Sequence, residues 1–205
     1  EVLLETVIGT GKHTMIPAAD TAGFVLEDWT ADGKIVLHRG GTVIVLPAPE
    51  ENRSATTPLK PQVLANENYA IDQIRVSPNG KWVAYMQSES GQPEVSIATF
   101  PGFGDRRQIS SGGAVQPLWR PDGKELFFLS RDQKLMVVEV KEGTALQISP
   151  VRMLFQTIFN TNTTVHTYAV APDGQRFLIR EPANLLSGVI EQLYIVTNWT
   201  SLVGR

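Results

Sequence analysis

The stretch WRPDGKELFFLS, Trp119 to Ser130, reads as the end of a strand, a tight turn and a second strand. Asp-Gly supplies two adjacent positions that tolerate positive φ, as a two-residue type I′ hairpin turn requires. The preceding Pro fixes φ and ends the first strand. One such hairpin is common, so the fold depends on whether it recurs.

It recurs three times. WTADGK (Trp29 to Lys34), VSPNGK (Val76 to Lys81) and VAPDGQ (Val170 to Gln175) repeat its grammar. The turn residues are Asp32 and Gly33, Asn79 and Gly80, Asp122 and Gly123, and Asp173 and Gly174. From Gly33 to Gly80, to Gly123, to Gly174 the intervals are 47, 43 and 51 residues. A four-stranded propeller blade occupies about 40–50 residues. Each turn is followed by an apolar strand rich in β-branched and aromatic residues: KIVLH, KWVAYM, KELFFL and QRFLI. A second strand follows at Thr42, Glu94, Lys134 and Glu191, and KPQVLA, RRQIS and ALQIS read as outer strands. GFVLEDW, IDQIRV, VQPLW and HTYAV lead into the four turns. Four short antiparallel strands per unit make a blade. The expectation is an all-β propeller with blades over roughly 15–66, 67–112, 113–160 and 161–205. Residues 1–10 read as an outer strand of a neighbouring or closing blade. In ANLLSGVIEQLYIV the four-residue recurrence of Leu185, Val189 and Leu193 suits a helix, but Gln192 to Thr197 matches the strand register of the other units.

Composition agrees with a packed domain. The 205 residues are 42% hydrophobic, 19% charged and carry a formal charge of −3. No basic cluster suits a nucleic acid or an anionic membrane. The absence of cysteine excludes disulfides, thiolate metal sites and cysteine nucleophiles. No apolar run approaches the roughly 20 residues that span a bilayer. Glu1 is expected to be an internal boundary of a longer protein.

The SPDGK-type turn followed by an aromatic and β-branched strand, as in VSPNGKWVAY, resembles the TolB-like, WD-type propeller repeats of bacteria from about Phe24 to Trp199. The ending YAVAPDGQRFLIRE…EQLYIVTNWTSLVGR is similar to propeller regions appended to bacterial eukaryotic-type Ser/Thr protein kinases. Ala31 stands where Pro is usual, and Asn79 where Asp is. The resemblance implies a parent ring of six to eight blades, an upstream kinase domain and an extracytoplasmic location. A smaller ring closed by the N-terminal strand is the alternative. Incomplete rings expose sheet edges and blade faces, so self-association is expected.

Candidate chemistry is sparse. GTGKHT (Gly9 to Thr14) lacks the leading Gly and the trailing Ser or Thr of a phosphate loop, and reads as a hairpin loop. His13, His38 and His166 show no metal-ligand spacing and read as strand-end residues. The turn carboxylates sit on successive blades, too far apart to share an ion. Phe100 and Phe103 in TFPGFGD read either as caps on a blade edge or as an exposed patch for a partner. No catalytic motif is present, and no catalytic residue, cofactor or metal is expected. The expected function is a non-catalytic module that binds a protein or peptide, or a small ligand, within a signalling protein. The alternatives are a substrate-gating propeller of a prolyl-oligopeptidase-type peptidase and a stand-alone TolB-like periplasmic scaffold.

Overall fold

A computed structural model describes residues 3–6, 13–48, 58–141, 146–157, 166–181 and 192–197. Strands β1 (Leu3–Thr6) and β2 (His13–Ile16) pair as a two-stranded sheet. The first four-stranded sheet follows, from β3 (Val25–Trp29), β4 (Ile35–Arg39), β5 (Thr42–Leu46) and β6 (Gln62–Asn66) in that spatial order. The second has β7 (Ile71–Val76), β8 (Trp82–Gln87), β9 (Glu94–Thr99) and β10 (Arg107–Gln108). The third has β11 (Ala114–Trp119), β12 (Glu125–Ser130), β13 (Lys134–Lys141), β14 (Gln147–Ile148) and β15 (Arg152–Gln156). The last has β16 (Tyr168–Val170), β17 (Arg176–Glu181) and β18 (Gln192–Thr197). Among the described residues there is no helix, so Gln192 to Thr197 is strand as expected; the segment before it lies outside them.

Strand alternation explains how the sheets stack. On β8, Val83 and Tyr85 face the first sheet, packing with Val36, Val43 and Val45. The alternate residues Trp82 and Ala84 face the third sheet, packing with Trp119, Leu126 and Phe128. On β12, Phe127 and Leu129 then turn to the last sheet, where Phe127 meets Phe177 edge-on at 5.0 Å. Each middle sheet is therefore apolar on both faces. The hairpin β1–β2 covers the far face of the first sheet through Ile16, beside Leu37, Leu46 and Leu59. On β17, Phe177 and Ile179 are buried while Leu178 between them is 41% exposed, so the last sheet keeps an open face. This is an arc of propeller blades.

Four details refine or correct the expectation. Within residues 1–10, β1 (Leu3–Thr6) pairs with β2 as a separate two-stranded sheet and not with the last sheet. The third blade's outer edge is split: β13 is long enough to pair with β14 at one end and β15 at the other. Phe100 and Phe103 are buried at 8% and 2% exposure, which removes the exposed partner patch. Phe103 lies 4.9 Å from the Tyr85 ring, under the Arg106 guanidinium, and fills the layer between the first two sheets.

The fourth is the turn itself. Gly33, Gly80, Gly123 and Gly174 have φ between 66° and 82°, but Asp32, Asn79, Asp122 and Asp173 do not have positive φ. Each glycine N–H donates to the carbonyl three residues back, as in Gly80 to Ser77 and Gly123 to Arg120. This is a type I turn with Pro second in three copies, Ala31 second in the first, and a left-handed Gly fourth, not type I′. The Asp or Asn is present for its oxygen. Asn79, Asp122 and Asp173 accept the N–H two residues on, at 2.9–3.0 Å. A fifth, unannounced copy joins β12 to β13. In Ser130–Lys134, Gln133 takes the glycine's place at φ 66°, and Asp132 accepts from Ser130 Oγ.

Two stability measurements follow. Asp122→Ala should cost about 1 kcal/mol by removing that acceptor, and Asp122→Gly should cost somewhat more; in a type I′ turn glycine would be neutral or stabilising. Phe103→Ala should lower unfolding free energy by about 3–5 kcal/mol. Urea midpoints read both.

Candidate functional site

The inner strands β3, β7 and β11 each carry a bulge, an extra residue that re-aims side chains along the inner edge of the stack. The bulges fall at Glu27, at Gln73–Ile74 and at Gln116–Pro117. Gln73 and Gln116 are driven to φ 53° and 59°, a region non-glycine residues seldom occupy. Both are buried. The Gln116 N–H donates to Gln73 Oε1 at 2.6 Å, and the Thr167 N–H donates to Gln116 Oε1 at 2.7 Å. On the first pair of sheets carboxylates do the same work. The Ile74 N–H donates to Glu27 Oε2 at 3.0 Å and the Val76 N–H to Asp28 Oδ2 at 2.7 Å. Each sheet thus satisfies backbone donors of the next.

The first step of this ladder carries charge. His38, from β4, places Nδ1 2.8 Å from Glu27 Oε1 and Nε2 3.9 Å from Asp72 Oδ1. Arg75 Nη1 sits 3.1 Å from Glu27 Oε2 and donates also to the Glu27 carbonyl at 2.6 Å. Glu27, His38 and Asp72 each offer a donor atom within 4.8 Å of the other two. They line a cleft of about 400 Å³ with Arg75, His166, Val25 and Leu26. Val25 and Leu26 are more than half exposed at its mouth. On His166, which precedes β16, both ring nitrogens are buried with no hydrogen-bond partner among the described residues.

Burial and partners compete over the protons. Burial pushes Glu27 up, but the hydrogen bond and charge of His38, with Arg75 and the Ile74 N–H, hold it below the ordinary carboxylate range. Burial pushes Asp72 up, helped by the Glu27 charge and opposed by the Gln73 N–H and His38. For His38, burial favours the neutral ring, but Glu27 and then Asp72 outweigh it and raise its pKa. Burial and then the Arg75 charge push His166 down to about 4.

This cluster answers a question the linear motifs leave open. His38 is not a bland strand-end residue, because strand pairing puts Val25 opposite it and brings Glu27 and Asp72 alongside. None of the turn residues lines the cleft. Most of GTGKHT lies outside the described residues, although the flanking strands pair as a hairpin. The missed signal is a polar residue recurring six or seven positions before each turn glycine: Glu27, Gln73, Gln116 and Thr167.

No protein-family model matches the chain, and no curated protein matches it. Solved structures do. TolB from Acinetobacter baumannii is 17% identical with a TM-score of 0.62, covering 96% of this chain and 46% of that one. A Mycobacterium tuberculosis puromycin-hydrolyzing peptidase is 16% identical with a TM-score of 0.61, covering 94% and 33%. The Cps50 (Swd1) β-propeller domain of Myceliophteria thermophila is 14% identical with a TM-score of 0.59, covering 96% and 63%. The chain has a TolB-like, WD-type β-propeller fold and spans less than two thirds of each of these chains.

The histidines predict opposite pH behaviour in chelator-treated protein. His38 is raised above its ordinary 6.5, so its stabilisation is full below pH 6.5 and is lost as pH rises through the raised value. His166 is depressed, so stability is lost as pH falls from 6.5 toward about 4. Thermal melts should show the deficit of His38→Gln shrinking above pH 6.5, while His166→Gln loses less stability than wild type below it.

Proposed function

We propose that this chain is the binding arc of a larger propeller, a non-catalytic region that holds a protein or peptide in the inner-edge cleft. The observation that carries this reading is the cleft's make-up. Val25 and Leu26 offer exposed apolar surface directly above the charged floor of Glu27, His38, Asp72 and Arg75. An extended peptide matches such a site, with an apolar side chain at the mouth and a polar group reaching the floor. Function in propellers lives in such surfaces rather than in the fold.

The parent protein in this reading is a bacterial signalling protein associated with a Ser/Thr kinase, with the propeller on the extracytoplasmic side. The C-terminal resemblance supports this parent, and the partial coverage of each solved propeller-containing chain supports only a larger ring. Among the described residues no helix is long and apolar enough to cross a membrane. The open face of the last sheet, with Leu178 exposed, suits contact with a further blade or with a second copy of the chain.

Panning the 205-residue chain against a displayed random-peptide library tests the binding reading. Peptides should be recovered whose binding falls at least tenfold with Leu26→Asp and is unchanged with Val63→Asp, a substitution at an exposed site on β6. Failure to recover any Leu26-dependent peptide would overturn it. Protein-kinase motifs upstream in the same reading frame would support the parent assignment; a downstream Gly-x-Ser-x-Gly hydrolase motif would replace it with a peptidase propeller.

A further inference from the structure

We infer that Glu27, His38 and Asp72 form a binding site for one divalent transition-metal ion, in a cleft that His166 also lines. The three residues come from β3, β4 and β7, so two sheets must be stacked before the site exists. Their donor atoms lie within 4.8 Å of one another. Zn–N and Zn–O bonds of about 2.0–2.2 Å put tetrahedral ligands about 3.5 Å apart, so side-chain shifts of about 1 Å would close the three around one ion.

The donor set selects the class of ion. Calcium and magnesium prefer all-oxygen shells, whereas an imidazole beside carboxylates suits zinc and its neighbours. The orientation of the donors is fixed from behind. Glu27 Oε2 is held by the Ile74 N–H and Arg75, which leaves Oε1 directed at His38. The Gln73 N–H donates to Asp72 Oδ1 at 2.6 Å. Such outer hydrogen bonds commonly position metal ligands. Two carboxylates and an imidazole that face one space suit a divalent cation, which takes the imidazole in its neutral form.

His166 lines the same cleft with both ring nitrogens buried and without a hydrogen-bond partner among the described residues, and it stands outside the three donors that lie within 4.8 Å of one another. The cleft is open at Val25 and Leu26, which gives the ion a route in.

Zinc titration of the 205-residue chain against a chromogenic chelator tests this. One Zn²⁺ per chain is expected, with affinity falling tenfold or more in Asp72→Asn and His38→Gln, and unchanged in His13→Gln. Circular dichroism checks that each variant is folded. Asp72 is partly exposed, so Asp72→Asn keeps the test usable if His38→Gln unfolds. In wild type Zn²⁺ should also raise Tm. No saturable uptake, or uptake indifferent to Asp72→Asn, would overturn the site. Zinc uptake and peptide display are read separately, so either result can fail without the other.

Discussion

A backbone N–H at the inner end of each sheet is satisfied by a buried side chain from the sheet before it. Glu27 reaches Ile74, Gln73 reaches Gln116, and Gln116 reaches Thr167. The rest of the architecture depends on this constraint. Apolar faces alone would let neighbouring sheets slide, because dispersion and burial are non-directional. A short hydrogen bond from a fully buried amide is directional, and leaving its donor unsatisfied costs about 1–3 kcal/mol. The bulges and positive φ at Gln73 and Gln116 are the local strain that aims those side chains.

The same ladder places the candidate site. Where an amide occupies the bulge, as at Gln73 and Gln116, the junction is neutral and closed. At the first junction a carboxylate stands at the bulge instead, and it draws in His38 and Arg75. The Asp72 carboxylate faces the same space. The site is therefore one rung of a structural ladder in which amide chemistry has been replaced by ionisable groups.

Much of the fold was legible in the linear order of residues. Asp-Gly and Asn-Gly at intervals of 43 to 51 residues, each followed by an apolar strand, mark four repeats, and the three strands around each turn fall where the sequence places them. The type of turn was not legible, since Asp-Gly suits both type I′ and a type I turn with a left-handed glycine. The fifth turn was hidden because Gln133 holds the left-handed position without being glycine. The burial of Phe100 and Phe103 depends on the neighbouring sheet, which a loop sequence does not reveal. The charged cluster was missed for a similar reason. Glu27, His38 and Asp72 are 11 and 34 positions apart, and only strand pairing and sheet stacking bring them together.

Native-state hydrogen exchange, read residue by residue by NMR, tests the ladder most directly. The account predicts that the Ile74, Gln116 and Thr167 amides exchange as slowly as the central strands. It also predicts that Gln73→Ala speeds exchange at Gln116 far more than at residues within β8 or β12. Rapid exchange of the Gln116 amide in wild type, with β11 and β12 otherwise protected, would contradict it.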